Sequence, residues 1–254
     1  MPRAPRIRRR ASRLPILHLL PNIVTIAAIC AGLTGLRLAL QGRFEAAVMM
    51  VLLAALLDGL DGPLARLLKS ESKIGAELDS LADFVNFGVV PGFLLYLWSL
   101  DTTSRLSWIA VLIYAVCAVL RLARFNVTAR EEVEEDRPTP GTFTGVPAPG
   151  GALLALAPFA LVQNFPGLPM PAGIVAIWLV IVGLLMISRL PTPSLKAMRV
   201  PRENARFLIV GLVAFAAIAA TWPWVVMSIA QFGYIVLVGW SARHHATGSV
   251  SDED

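Results

Sequence analysis

Charge is what this chain of 254 residues has least of: only 15% of it is Asp, Glu, Lys or Arg, against about 25% in an ordinary soluble domain. With 56% apolar residues and a mean hydropathy of +0.69, that shortage excludes a water-soluble globule and makes lipid the solvent of the fold. Histidine is nearly absent too. His18 precedes most of the first apolar run, and His244 and His245 follow the last, so no imidazole lies within a span to serve haem, a histidine zinc site or a serine–histidine pair. Cys30 and Cys117 stand singly inside apolar runs, which excludes a disulfide framework and fits small buried hydrophobes. No internal repeat and no separate soluble domain can be read.

What is present is a row of apolar segments with the basic residues sorted to one side. A membrane helix needs about 20 mostly apolar residues. Eight segments qualify, near 17–40, 44–68, 76–100, 106–126, 147–165, 172–190, 206–221 and 223–241, and predict an all-α, polytopic transmembrane helical bundle of about eight spans. Trp222-Pro223-Trp224 is a tight turn between the last two, so a pair of half-helices there fits as well. Arg3, Arg6, Arg8, Arg9, Arg10 and Arg13 precede the first span without a small-residue cleavage pattern, which reads as a retained span and not a signal peptide. Beside a membrane, such a cluster serves topology and anionic headgroups; nothing here argues for nucleic acid.

Loop 189–206 adds Arg189, Lys196, Arg199, Arg202 and Arg206, while the opposite short loops hold only Arg43 and Arg105. The bias predicts both termini in the cytoplasm. The expected organisation is a basic arm at 1–16, one transmembrane domain at 17–241 and a disordered tail at 242–254. Segment 127–146, with Glu131, Glu132, Glu134, Glu135 and Asp136, reads as a solvated acidic loop.

Against this background four aspartates stand out. An Asp at the centre of a bilayer helix costs roughly 2.5–3.5 kcal/mol on insertion scales, so a group of them calls for a cation or a water-filled cavity. Asp58 and Asp61 are three apart near the end of the second span, and Asp79 and Asp83 are four apart near the start of the third. On helices each pair shares one face, and the topology brings the two pairs to one depth. A cage of hard carboxylate oxygens, with no histidine or thiolate, favours Mg²⁺, Mn²⁺ or Ca²⁺. Gly62 beside Asp61, and Gly75 one turn before Asp79, let a ligand approach the backbone, and Arg66 offers a cation to phosphate. Taken singly, each has a plainer reading: an ion-pathway aspartate, a helix-packing glycine, a snorkelling arginine. Together they point to a pyrophosphate substrate and metal-assisted phosphoryl transfer.

The pattern D-x-x-D-G-x-x-A-R-(x8)-G-x-x-x-D-x-x-x-D, filled by Asp58, Asp61, Gly62, Ala65, Arg66, Gly75, Asp79 and Asp83, resembles the signature of the CDP-alcohol phosphatidyltransferases. The resemblance implies that an alcohol hydroxyl attacks the lipid-side phosphorus of a CDP-lipid and that CMP leaves. It implies that Asp58, Asp61, Asp79 and Asp83 bind Mg²⁺ or Mn²⁺ as two ions, that Asp83 also takes the hydroxyl proton, and that Gly62, Ala65, Arg66 and Gly75 hold the CDP moiety. The context Leu78–Gly88, Pro21-Asn22, Arg121–Asn126 and Phe143–Pro149 looks like the phosphatidylserine synthase branch, so that the resemblance covers roughly residues 15–160. Ile74, where an aromatic often stands, and Val90-Pro91-Gly92, in place of alanine-proline-alanine, depart from it without touching an expected ligand.

That branch implies CDP-diacylglycerol and L-serine as substrates, phosphatidylserine and CMP as products, a homodimer, and a place in a bacterial inner membrane with the active site facing the cytoplasm. Arg121 and Arg124, three apart on one face, are candidates for the lipid phosphate or the serine carboxylate, or else topological anchors. Asn126, Asn22 and Asn86 are candidates beside them, although asparagines also join helices in membranes. Glycerol 3-phosphate, inositol, inositol phosphate or choline would be alternative acceptors. A divalent-cation transporter is the reading from another class, disfavoured because the carboxylates gather at one side.

Overall fold

Pro21 opens the first helix, where a fixed φ and a missing amide do no harm; after a 3-10 turn at Ile16–Leu19, α1 spans Leu20–Leu40. The computed structural model describes residues 16–100, 104–135, 143–188, 191–192 and 217–248. A three-residue turn reverses the chain into α2, Phe44–Leu68, which packs along α1 through small residues: Ala28, Ala31 and Ala39 are buried on one helix, Ala47, Val48 and Ala54 on the other. Gly35 makes the approach possible, since a Cβ there would stand 3.0 Å from the Ala47 carbonyl oxygen. In lipid, where apolar burial gives no drive, such close backbone packing is what joins helices.

The third span, Lys73–Trp98, consists of α3 (Lys73–Asp83), a π-helical segment (Phe84–Val89) and α4 (Val90–Trp98). Its irregularity has a cause in the sequence. Pro91 has no amide to offer the Phe87 carbonyl four residues back, and the fully buried Tyr114 hydroxyl donates to that carbonyl instead, at 2.6 Å. Tyr114 comes from α5, Arg105–Glu135. A second proline repeats the device. Pro158 cannot serve the Leu154 carbonyl, the helix breaks at Leu156 into α6 (Ala148–Ala155) and α7 (Ala157–Asn164), and the Trp178 indole N–H donates to Leu154 O at 2.8 Å. Trp178 belongs to α8, Ala172–Ile187, which packs on α5.

The last helix, α9, spans Pro223–Gly248 and is fastened by polar side chains. Asn164 Nδ2 lies 2.9 Å from both Trp224 O and Ser228 Oγ, and Gln231 Nε2 donates to Leu153 O at 2.8 Å. A two-residue antiparallel ladder, β1 (Phe143–Thr144) with β2 (Pro191–Thr192), is the only extended pairing among the described residues. The interior gathers Phe87, Leu94, Tyr114, Leu154, Leu179 and Met186, while Leu56, Leu106, Ile177, Ile229 and Phe232 remain exposed, as lipid-facing side chains are.

The bundle is all-α and built to cross a membrane. Among the described residues five helical stretches are long and apolar enough: Leu17–Leu40, Phe44–Leu68, Lys73–Trp98, Arg105–Thr128 and Pro223–Trp240. The apolar segment expected at 147–165 is the pair α6 and α7 because of Pro158, and the one at 172–190 is the 16-residue α8. The segment expected at 206–221 lies outside the described residues except for 217–221. Two boundaries differ from expectation. The acidic loop begins in helix, since α5 meets no proline or glycine between Arg105 and Glu135, and the tail expected from 242 is helical to Gly248, with neither residue at 242–247.

Candidate active site

The turn between α2 and α3 sets the height of the carboxylates. Lys69 takes φ +51° at the end of α2, with its amide on Arg66 O and the Ser70 amide on Ala65 O, the pairing of a Schellman end with lysine where glycine is usual. Three residues on, Ser72 caps α3 by accepting the Gly75 amide at 3.0 Å. Asp61 lies seven residues before the end of one helix and Asp79 six after the start of the next, rises of about 10 and 9 Å at 1.5 Å per residue. Equal rises on antiparallel neighbours bring the two residues level.

They meet. Carboxylate oxygens of Asp58, Asp61 and Asp79 lie within 4.8 Å of one another, a spread that oxygen ligands at about 2.0–2.6 Å from one ion can span. Asp83 stands beside Asp58 one turn further along. The Oδ1 atoms of Asp58 and Asp83 are buried without a hydrogen-bond partner among the described residues. A buried carboxylate oxygen left unpaired costs free energy unless a cation meets it, so the donor set and its unmet valences fit a hard divalent metal. Asp61, 6% exposed, is held by its other neighbour: the Thr25 hydroxyl of α1 lies 2.6 Å from Asp61 Oδ2.

Around this cluster the structure leaves room on one side. A Cβ added at Gly59 or Gly62 would meet nothing within 4 Å. Pro63 withholds an amide from the Gly59 carbonyl, so the helix also carries a weakened rung beside Asp58 and Asp61. Arg66 is exposed and Ala65 half-buried in the next turn. Gly75 sits against α1, where a Cβ would stand 3.0 Å from Asn22 Oδ1, which brings the half-buried Asn22 to the rim of the site. Deeper along α2 and the π-helical segment, a cavity of about 270 Å³ is lined by Val51, Leu52, Ala55, Phe87, Leu153 and Leu156, all apolar.

The remaining candidates divide. Arg121, half-buried on α5 and stacked over Phe125 with its guanidinium carbon 5.9 Å from the ring centroid, lies within electrostatic reach of Asp83. Arg124 turns the other way: its Nη1 donates to Ile187 O at 3.0 Å and caps the end of α8. Asn126 Oδ1 accepts from Ser80 Oγ at 3.1 Å and ties α5 to α3. Asn86 is fully buried in the π-helical segment, its amide against Gly32 of α1, with neither amide atom hydrogen-bonded. Thr25 is the residue that motif reasoning passed over. Its signal was one of two hydroxyls in an apolar span, Thr25 and Thr34, and only its partner on the neighbouring helix reveals it as an orienting group. Tyr234 of α9, within electrostatic reach of Arg121, had no signal at all.

The family model described as CDP-alcohol phosphatidyltransferase matches residues 18–188. The CDP-diacylglycerol–serine O-phosphatidyltransferase of Mycobacterium leprae is 40% identical over 229 residues, covering 90% of this chain and 76% of its own. Its namesake in Mycobacterium tuberculosis is 37% identical over 232 residues, covering 89% and 79%. Among solved structures, the phosphatidylinositol phosphate synthase of Mycobacterium tuberculosis in complex with manganese and citrate superposes with a TM-score of 0.48 at 26% identity, covering 74% of this chain and 93% of that one.

Proposed function

This chain belongs to the CDP-alcohol phosphatidyltransferase family, and from that membership we propose that it transfers the phosphatidyl group of CDP-diacylglycerol to the hydroxyl of L-serine, giving phosphatidylserine and CMP. The observation that carries the reading is the meeting of Asp58, Asp61 and Asp79 within 4.8 Å, beside Asp83, in a motif that an oily bundle would not otherwise retain.

Each residue has a task in that reaction. Asp58, Asp61, Asp79 and Asp83 hold Mg²⁺ or Mn²⁺, as two ions, which when bound neutralise the pyrophosphate and stabilise the charge that develops on the transferred phosphoryl group. The open space at Gly62 admits the CDP moiety close to the helix, with Ala65, Arg66 and Gly75 along it and the Arg66 guanidinium on a phosphate oxygen. Asp83 accepts the serine hydroxyl proton as that oxygen bonds to the lipid-side phosphorus. The bond from this phosphorus to the bridging oxygen breaks, and CMP leaves with the electron pair. Arg121 positions the acceptor next to Asp83, with Asn22, Asn86 and Asn126 around the site and Arg124 behind it. The apolar cavity beginning one turn from Asp58, at Ala55, suits an acyl chain of the lipid.

The protein is an integral membrane enzyme. In our reading it sits in a bacterial inner membrane as a homodimer, with a basic arm at 1–16, a catalytic membrane domain at 17–241 and a tail at 242–254. The arginine-rich arm supports a reading in which both termini and the active site lie at the cytoplasmic leaflet, where membrane-borne CDP-diacylglycerol and soluble serine meet.

The test is purified protein in detergent with CDP-diacylglycerol, labelled L-serine and Mn²⁺ or Mg²⁺. CMP release and label in the lipid phase are expected, both abolished by EDTA. CMP release without lipid label would move the acceptor to glycerol 3-phosphate, inositol or choline. Neither product, with folded protein and every acceptor supplied, would overturn the catalytic reading.

A further inference from the structure

The final helix brings one group to the acceptor side of the site that the family motif does not contain. From Pro223, α9 is locked to α6 and α7 by Asn164 and by Gln231, whose amide donates to Leu153 O. Tyr234 follows three residues later, on the same face as Gln231. Its ring lies against the first turn of α6: a Cβ built at Gly150 would stand in van der Waals contact, 3.4 Å from both Cζ and Oη of the phenol. The Oη atom is buried and has no hydrogen-bond partner among the described residues.

An unpaired phenol hydroxyl is a poor device for packing. Phenylalanine would fill the same space without stranding a polar atom. The neighbourhood names its use. Arg121 lies within electrostatic reach of both Tyr234 and Asp83, which ties the phenol to the neighbourhood of the proposed proton acceptor. A guanidinium with a neutral hydroxyl donor beside it suits a carboxylate, where each oxygen accepts one donor. Near Asp83 the molecule that must bind is the acceptor, and in an amino acid such as serine the carboxylate lies two carbons from the hydroxyl.

We propose that the Tyr234 hydroxyl donates a hydrogen bond to the carboxylate of the amino-acid acceptor, alongside Arg121, and so selects an amino acid over simple alcohols. This inference rests on the serine-transfer reading and extends it to a helix beyond the 18–188 stretch that matches the family. Tyr234 is a binding residue here and takes no part in proton transfer.

The experiment compares wild type and Tyr234→Phe in full-length protein, with initial rates at varied L-serine and at varied CDP-diacylglycerol, and thermal melting in the same detergent. Loss of one hydrogen bond to a charged group raises the KM for L-serine about ten- to a hundredfold. The KM for CDP-diacylglycerol and the melting temperature stay at wild-type values, because the hydroxyl has no partner among the described residues. An unchanged KM for serine would overturn the inference, as would a shift confined to CDP-diacylglycerol, which would put the phenol on the lipid phosphate. If the wild-type enzyme incorporates no serine, the acceptor assignment fails and takes this inference with it. Serine incorporation with an unaltered KM in Tyr234→Phe removes this inference alone.

Discussion

Replacing Thr25 with valine keeps a β-branched side chain of nearly the same shape and deletes the hydroxyl that lies 2.6 Å from Asp61 Oδ2. That hydroxyl also lies 3.1 Å from Pro21 O, so one proton serves two acceptors, and the charged, closer carboxylate is the stronger. Asp61 is only 6% exposed, and water does not readily replace the lost donor. A hydrogen bond to a charged group contributes about 1.5–3 kcal/mol, and removing such an orienting partner commonly weakens a metal site about 10- to 100-fold. The loss acts on orientation: with Oδ2 released, the Asp61 carboxylate turns freely and must be ordered again when the ion binds. We expect the Mn²⁺ concentration for half-maximal CMP release to rise about 10- to 100-fold in Thr25→Val, with much of the rate recovered at saturating Mn²⁺. Thr25→Ser, which keeps the donor, should remain near wild type. A Thr25→Val enzyme with an unaltered Mn²⁺ requirement would refute the view that α1 orients a metal ligand.

Asp83→Asn removes the proposed proton acceptor, and CMP release should fall at least about 100-fold while CDP-diacylglycerol binding persists; near-normal turnover would remove Asp83 from that role. Tyr114→Phe strands the Phe87 carbonyl that Pro91 cannot serve, so unfolding should become easier by about 1–3 kcal/mol, read as a lower melting temperature in detergent. Trp178→Phe should do the same through Leu154 O, and unchanged melting in both would show that these carbonyls find other partners.

The membrane class, the first four spans and the four aspartates were legible in the sequence because each depends on local quantities. Hydropathy over about 20 residues decides insertion, and spacing of three or four decides which side chains share a helical face. The end of α2 at Leu68 falls where the second span was expected to stop, whereas α3 starts at Lys73, three residues before the expected 76, and these two ends set the level at which Asp61 and Asp79 meet. Legibility stopped where proline acts at a distance. Pro91 and Pro158 announce a fault in a helix, but whether it becomes a π-helical segment or a break depends on a donor from another helix, Tyr114 in one case and Trp178 in the other.

The candidate site divides along the same line. By itself the sequence determined that Asp58, Asp61 and Asp79, which meet within 4.8 Å, would gather as a cluster of hard oxygen donors, since carboxylates are too costly in lipid to stand without a counter-charge. Only the tertiary structure decided what those residues do beyond that. It turned Arg121 toward Asp83 and Arg124 away to the end of α8, made Asn126 a strut to Ser80, set Thr25 on Asp61, and brought Tyr234 from 113 residues further along the chain to the vicinity of Arg121. These pairings join side chains on different helices. Helical periodicity gives each side chain its own face, but the partner on the facing helix is chosen by how the helices pack.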